Sequence, residues 1–287
     1  MFGVIASMVD GLLLGAVYGL AAIGLTLIWG VMNIINLTHG ALIALGMFGV
    51  YFLTARVGGS PYVALLPVAV LGFVAGLAIY GLSVHRVIAR PPLMSLLSTF
   101  AVNMVIIGAG TAFWSTSIYN LPFSVPGITW QGFTFTGAHM LAAAVAVVVA
   151  GALYLFMRHT RLGKAIRAVA NNRQAAELMG IPSGRILAVA FALGVALAAV
   201  AGGLIATLFP FTVLSGSGYQ LKSFVVTVLG GLGNPAGALV GGLLLGLIEG
   251  GVTPFIAVSW TPVIEFVLFV LILIAFPKGL FARGAAR

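Results

Sequence analysis

The side chains able to do chemistry in this 287-residue chain are few: four acids, four histidines and no cysteine. Without cysteine there is no disulfide, no thiolate metal site and no thiol nucleophile. No carboxylate pair, Ser/His/Asp set or phosphate-cradling glycine loop occurs, so the chain is not expected to be an enzyme or to hold a cofactor of its own. What stands out is polarity set inside apolar sequence. Gly30-Val-Met-Asn33-Ile-Ile-Asn36-Leu-Thr38-His39-Gly40 puts two amides, a hydroxyl and an imidazole between two apolar runs. Gly230-Gly231-Leu-Gly233-Asn234-Pro235-Ala236-Gly237 interrupts a later one, where Pro235 removes a donor and the glycines loosen a helix. Inside a bilayer, non-helical backbone survives only when buried in protein or lining a watery cavity. Paired interruptions in two halves of a carrier therefore point to its pathway, and Asn33, Asn36, Thr38, His39, Gly230, Gly233, Asn234 and Pro235 are its candidate residues. Ordinary cytoplasmic turns are the alternative at both places. His39 has no ligand set around it for a metal, and a hydrogen-bonded structural role is the plainer one for it.

Two of the four acids, Glu249 and Glu265, also sit within apolar segments, where a carboxylate is costly. A loop follows Glu249 closely and Glu265 comes just after Trp260 and Pro262, so the expectation is that both lie at the outer membrane interface. A coupling-ion site is the alternative.

The elements that would position these residues are membrane helices. Hydrophobic residues make up 62% and charged residues 6% of the chain, against about 25% charged in a soluble domain. Runs of 45 residues between Asp10 and Arg56, and of 67 between Arg90 and Arg158, contain no charge, and each is long enough for two spans. About nine apolar segments result, at roughly 11–30, 39–55, 62–84, 93–114, 139–157, 186–209, 221–233, 236–252 and 262–277. Several are too short to cross alone. The expected fold is all-α, a polytopic membrane bundle of about 8 to 9 segments, two of them interrupted, in one transmembrane domain over 1–287. No removable signal peptide is expected, since the first residues have neither a basic region nor a small-residue cleavage site.

The net charge of +9 would raise nucleic acid as a partner of a soluble protein, but here it reads as topology. Placing the 85–92 loop, the 158–185 loop and the C-terminus with Lys278, Arg283 and Arg287 in the cytoplasm puts eleven of thirteen bases inside. Arg56 and Lys222 are the exceptions, and nine alternating segments put the N-terminus outside, whereas eight would reverse that end. Glycine accounts for 39 residues, and the spacing of Gly11, Gly15 and Gly19, and of Gly242, Gly246 and Gly250, is the small-xxx-small pattern of close helix packing. The longest external loop, 115–138, is rich in Pro, Thr and aromatics. Partial alternation over Ile128–Thr136 around Gly132 predicts a short hairpin there, either an aromatic-belt loop or a docking surface for an external partner.

The 158–185 loop carries six of the thirteen bases. Its centre reads as two short helices, with Asn171 able to cap the second, Gln174 at the capping-box position, and Gly180 and Pro182 able to stop it. An apolar face with Ala175, Leu178 and Met179 opposite a basic one suits either a partner groove or anionic lipid.

Gln174-Ala175-Ala176-Glu177-Leu-Met-Gly180 resembles the EAA-x-x-x-G coupling loop of ABC importer permeases, with Gln174 in place of Glu. More specifically, the chain resembles the LivH-type permeases of branched-chain amino acid ABC importers. Their marks occur in order along nearly the whole chain: Asn36-Leu-Thr-His39-Gly40, Arg161-Leu-Gly-Lys-Ala-Ile-Arg-Ala, Met179-Gly-Ile, Val228 to Ala238, and Pro277-Lys-Gly-Leu280. The resemblance implies an ATP-driven, binding-protein-dependent importer in a bacterial inner membrane. Its partners would be a second, homologous or identical permease, two cytoplasmic ATP-binding subunits and a periplasmic substrate-binding protein. ATP and Mg would sit on the ATP-binding subunits, because this chain has no Walker A pattern. Arg167, Asn171, Gln174, Ala175, Ala176, Glu177 and Gly180 are the implied coupling residues. Branched-chain or other apolar amino acids are the implied substrates, although related permeases serve urea, short amides and aromatic acids. Many relatives also have an acid after the His-Gly pair where this chain has Ala41.

Two readings of other classes exist. Asn234-Pro235-Ala236 is the triplet of aquaporins, but those channels need two such triplets and a filter arginine. An ion-coupled carrier could use Glu249 or Glu265, yet it gives no reason for the basic loop.

Overall fold

The computed structural model describes residues 2–88, 90–130, 133–275 and 279–280. Gly132, Pro277, Lys278, Arg283 and Arg287, on which the hairpin turn, the last motif and the basic C-terminus rest, lie outside the described residues. The helices are α1 (Phe2–Met32), α2 (His39–Val57), α3 (Pro61–Ile79), α4 (His85–Val87), α5 (Pro92–Trp114), α6 (Gly137–His159), α7 (Arg161–Asn171), α8 (Arg173–Leu178), α9 (Ser183–Ala206), α10 (Gly216–Gly230), α11 (Pro235–Val252) and α12 (Thr261–Ala275). A π turn over Tyr80–Val84 joins α3 to α4. The strands β1 (Ile128–Trp130) and β2 (Phe133–Phe135) pair antiparallel with Ile128 opposite Phe135, forming the hairpin expected within 115–138.

Among the described residues, seven helices are long and apolar enough to span a membrane, and α10 and α12, at 15 residues each, are shorter. The nine expected segments are thus α1, α2, α3, α5, α6, α9, α10, α11 and α12, and the protein is a multi-pass membrane helix bundle. One end of the bundle carries the hairpin; the other carries α7 and α8 with their bases.

Close approach of backbones fixes the packing. Helices α1 and α11 run antiparallel on facing glycines: Gly11 touches Gly246 and Gly250, Gly15 touches Gly242, and Gly30 touches Gly233. Helices α3 and α9 meet the same way, with Gly72 against Ala196 and Ala199 and Gly76 against Ala192. At the centre α1 crosses α9, where a Cβ on Gly24 or Gly194 would lie 2.5 or 2.7 Å from the other's carbonyl oxygen. Such contacts let helices associate by packing in a solvent as apolar as they are.

Two sets of four helices, α1-α2-α3-α5 and α9-α10-α11-α12, recur in the same order and run in opposite directions. Each contact in one set has its counterpart: α1 with α11 and α9 with α3, α2 with α9 and α10 with α1, α2 with α5 and α10 with α12. This is an inverted repeat, the architecture that places binding sites near mid-membrane at short, broken helices. Helix α6 and the α7–α8 pair connect the two sets.

Candidate functional site

The first break is deeper than a turn. Helix α1 ends at Met32, yet α2 begins beside Ala21, whose carbonyl oxygen accepts from His39 Nε2 at 3.0 Å. Ala21 lies 11 residues before Met32, about 16 Å along a helix axis. Residues 33–38 therefore climb back into the bundle. The climb starts at Asn33, which is exposed and takes φ +54°, a left-handed conformation that Asn tolerates better than most residues.

The returning segment is tied down by side chains that replace its missing helical bonds. Thr99 of α5 accepts from the Leu37 N–H at 3.2 Å and is within 3.2 Å of the Ile35 carbonyl oxygen. Thr38 donates to the Thr99 carbonyl oxygen at 2.8 Å. Asn36 Oδ1 accepts from the Thr38 N–H at 3.1 Å, and Gln220 Oε1 of α10 accepts from the Gly40 N–H at 3.1 Å. Asn36, Thr38, His39 and Thr99 are all fully buried.

The second break is of another kind. Gly231 and Gly233 hold φ of +87° and +80°, Asn234 Oδ1 accepts from the Gly237 N–H at 3.2 Å, and Pro235 opens α11. It is a capped helix–turn–helix at the α7–α8 end of the bundle, against Gly30, because left-handed glycines followed by an N-cap and a first-turn proline make a tight reversal. Gly230, Gly233, Asn234 and Pro235 thus lie near the end of α1, about half the bundle away from His39. The repeat counterpart of the first break is the descent from Ala206 through the 3-10 turn Val213–Ser215 into α10. Helices α2 and α10 both start in the middle of the bundle, Gly40 against Gly216. Sequence reading placed the start of this segment near 221 and missed Gly216 and Gln220. The polar run Ser215–Gln220 looks like loop by hydropathy, and its depth comes only from tertiary contact.

Two more groups were not legible as they stand. Lys222 bridges the acids: its Nζ lies 3.0 Å from Glu249 Oε2, forms an ion pair with Glu265 Oε1, and stands 4.7 Å from the centroid of the Tyr18 ring. Glu265 is enclosed by protein, its side chain 5% exposed. The ion cluster joins α10, α11 and α12 over α1. Asp10 and His139 pair at 3.2 Å at the hairpin end.

The basic loop forms the two predicted helices. Thr160 caps α7 and Asn172 caps α8, Asn172 Oδ1 accepting from the Ala175 N–H at 3.0 Å. The cap is thus Asn172, one residue after the expected Asn171, which closes α7 instead; Asn172 has the extended backbone that capping requires. Gly180 ends α8 with φ +80°, and the Ile181 N–H reaches back to the Ala176 carbonyl oxygen, closing a Schellman-type cap. Arg173 Nε contacts Glu177 Oε1 at 3.1 Å and Ser183 Oγ at 3.2 Å, and Ser183 donates to Glu177, pinning α8 to the start of α9. The Ser183 hydroxyl, with the Arg173 guanidinium, holds the Glu177 carboxyl below the usual carboxylate range. Ala176 is buried, whereas Arg167, Asn171, Gln174 and Ala175 are exposed, and Leu178 and Met179 are 89% and 82% exposed. Two large apolar side chains thus project from a helix pinned at its base.

The arrangement holds no group of three or more His, Asp or Glu able to take a metal ion among the described residues. The model of a family described as "Branched-chain amino acid transport system / permease component" matches residues 7–275. Among curated relatives, the chain is 30% identical to the high-affinity branched-chain amino acid transport system permease protein LivH of Escherichia coli K12, over 96% of this chain and 94% of that protein. It is 30% identical to BraD of Pseudomonas aeruginosa, a permease protein of the same description, over 96% and 95%. A probable branched-chain amino acid transport permease protein LivH of Methanocaldococcus jannaschii is 27% identical over 91% and 87%.

Proposed function

Because the chain belongs to the family of branched-chain amino acid transport permease components, we propose that it is the membrane-spanning subunit of an ATP-driven, binding-protein-dependent importer of branched-chain or other apolar amino acids. The observation that carries this reading is the pinned α8 helix with Leu178 and Met179 projecting from it. A short helix fixed to a membrane helix and apolar at its tip is the shape that a groove on another subunit engages.

In this reading the α7–α8 end is cytoplasmic in a bacterial inner membrane, and the hairpin end and N-terminus are periplasmic. Lys222 then ceases to be an exception to the charge asymmetry, since it is an intramembrane ion-pair partner. Only Arg56 remains outside. Two ATP-binding subunits, which hold ATP and Mg, engage the paired coupling loops of this chain and a second permease, identical or homologous. A periplasmic binding protein delivers substrate at the hairpin end.

Coupling is mechanical, and the contacts supply its route. Displacement of α8 reaches α9 through Arg173 and Ser183, and the ring of Phe191 on α9 lies tilted 6.1 Å from that of Tyr80 in the π turn. Ser83 of that turn hydrogen-bonds Ser98 of α5, next to the Thr99 that holds the segment before α2. A π turn is a place where a helix yields locally. Biasing α5 and α2 exchanges outward-open and inward-open states.

The test is Gly180→Val, which puts a β-branched residue at φ +80°, and Glu177→Lys, which breaks the Ser183 contact. Both are expected to leave the chain in the membrane and to abolish ATP-driven uptake of leucine. Normal uptake in both would contradict the reading.

A further inference from the structure

We infer that the start of α2 is a receptor for the head group of an α-amino acid, its carboxylate bound by the Asn36 amide where two helix N-termini meet and its ammonium by the free edge of His39. The inference rests on the permease reading above and names the chemistry that reading leaves open. Among the described residues five buried side-chain polar atoms have no hydrogen-bond partner: Asn36 Nδ2, His39 Nδ1, Thr54 Oγ1, Tyr62 OH and Tyr80 OH. The first two are three residues apart in the chain, in the segment that opens α2.

Their chemistry is complementary and fixed. Asn36 Oδ1 accepts from the Thr38 N–H, which orients the carboxamide and leaves Nδ2 as an orphan donor. The Ala21 carbonyl can only accept, so His39 Nε2 carries the proton and Nδ1 is left as an orphan acceptor. A buried donor and a buried acceptor without partners are each costly, and a native structure keeps them where something else completes them. One ligand that offers an acceptor and a donor on neighbouring groups is the carboxylate and ammonium of an amino acid.

The local field favours the same orientation. Helices α2 and α10 direct their positive ends at one place, Gly40 against Gly216. The four acids of the chain are Asp10, Glu177, Glu249 and Glu265, and none lies on α2 or α10. Half-helix N-termini at mid-membrane are a general way to hold a substrate carboxylate. With Ala41 following Gly40, the acceptor for an ammonium here is the imidazole edge of His39. The same Ala41 borders a small apolar recess between α2 and α5, with Leu45, Phe48, Ile107 and Trp114 on its walls; Phe48 and Trp114 stack across it at 4.4 Å, so it would have to widen to take an aliphatic side chain. In the conformation described, the Gly40–Gly216 contact closes the place, so admission requires α2 and α10 to part.

The test uses the whole complex, with its ATP-binding subunits and binding protein, in proteoliposomes with L-leucine as the probe. Asn36→Asp keeps an oxygen that accepts from the Thr38 N–H, and its charge suits the nearby helix N-termini, so a purely structural Asn36 predicts full uptake per assembled complex, whatever the change in thermal midpoint. The inference predicts leucine uptake per assembled complex lowered by at least about tenfold, because the new carboxylate faces that of the substrate. Uptake at the parent rate would overturn it and leave the orphans to a bridging water. If Asn36→Asp fails to assemble, Asn36→Ala decides, since it removes the amide donor without adding a charge: uptake per assembled complex is expected to drop, and parent-level uptake would overturn the inference. Absence of leucine uptake by the parent complex would instead defeat the branched-chain reading itself.

Discussion

Gly40 and Gly216 meet backbone to backbone: a Cβ on Gly40 would lie 2.4 Å from the Gly216 carbonyl oxygen, and a Cβ on Gly216 would lie 2.1 Å from that of Gly40. Neither helix start can carry a side chain while the other stays where it is. The contact sets how deep α2 and α10 begin, and with it the position of Asn36 and His39.

Gly216→Ala is therefore expected to destabilise the bundle by about 1–3 kcal/mol, the usual range for overpacking. Gly218→Ala, two residues on, is the control, because a Cβ there meets nothing within 4 Å. Thermal unfolding of the two variants in detergent checks this; equal midpoints would show that the contact does not bear on stability.

The ion cluster supplies a second prediction. Lys222→Met leaves Glu249 and Glu265 facing each other without their cation, and removing one partner of a buried pair costs about 3–5 kcal/mol. The Glu249 side chain is 20% exposed, which places the expected loss toward the lower end. The triple variant Lys222→Met, Glu249→Gln, Glu265→Gln removes every charge and should recover most of the loss. A triple variant as unstable as the single would mean that packing at Lys222, and no unpaired charge, sets the cost.

Helix α8 gives a prediction in pH. The Ser183 hydroxyl and Arg173 lower the folded-state pKa of Glu177, so its contribution to docking α8 on α9 is full above the ordinary carboxylate range and is lost as pH falls through that range. Glu177 is at the surface, so the effect is modest and weakened by salt. Hydrogen exchange of the amides of residues 173–181, corrected for intrinsic rates, is expected to speed up in acid. The acceleration should shrink in Ser183→Ala, where only Arg173 still holds Glu177, and an unchanged acid response in that variant would contradict the assignment.

Leu178→Asp and Met179→Asp change side chains that touch almost nothing within the chain. Thermal stability of the isolated permease is expected to stay within about 0.5 kcal/mol, while capture of the ATP-binding subunits on an affinity column is lost. Retained capture with both variants would move the docking surface elsewhere.

Much of the fold was legible because it is written in one dimension. Apolar runs bounded by charge, proline or glycine located α1, α2, α3, α5, α6, α9, α11 and α12 to within a turn or two at most boundaries, except at the start of α1, and the alternation around Gly132 gave the hairpin. Depth was not legible. Residues 30–40 and 230–237 look alike as interruptions, yet one re-enters the bundle and the other turns at its end, a difference made by contacts of His39 with Ala21 and of Gly30 with Gly233. Lys222 looked like a stray base because its partners lie 27 and 43 residues away on other helices. The candidate residues Asn36, Thr38 and His39 were found by polarity alone, whereas Gln220 and Gly216 needed the inverted repeat to bring them there.

The central claim is that this chain works as the permease of an ATP-driven importer, and co-purification from the native membrane tests it most directly, followed by a vanadate-sensitive ATPase assay and leucine uptake by the reconstituted complex. The account predicts two ATP-binding subunits and a second permease with the chain, and uptake that stops with vanadate. A lone oligomer without ATPase partners, moving solute without ATP, would contradict it.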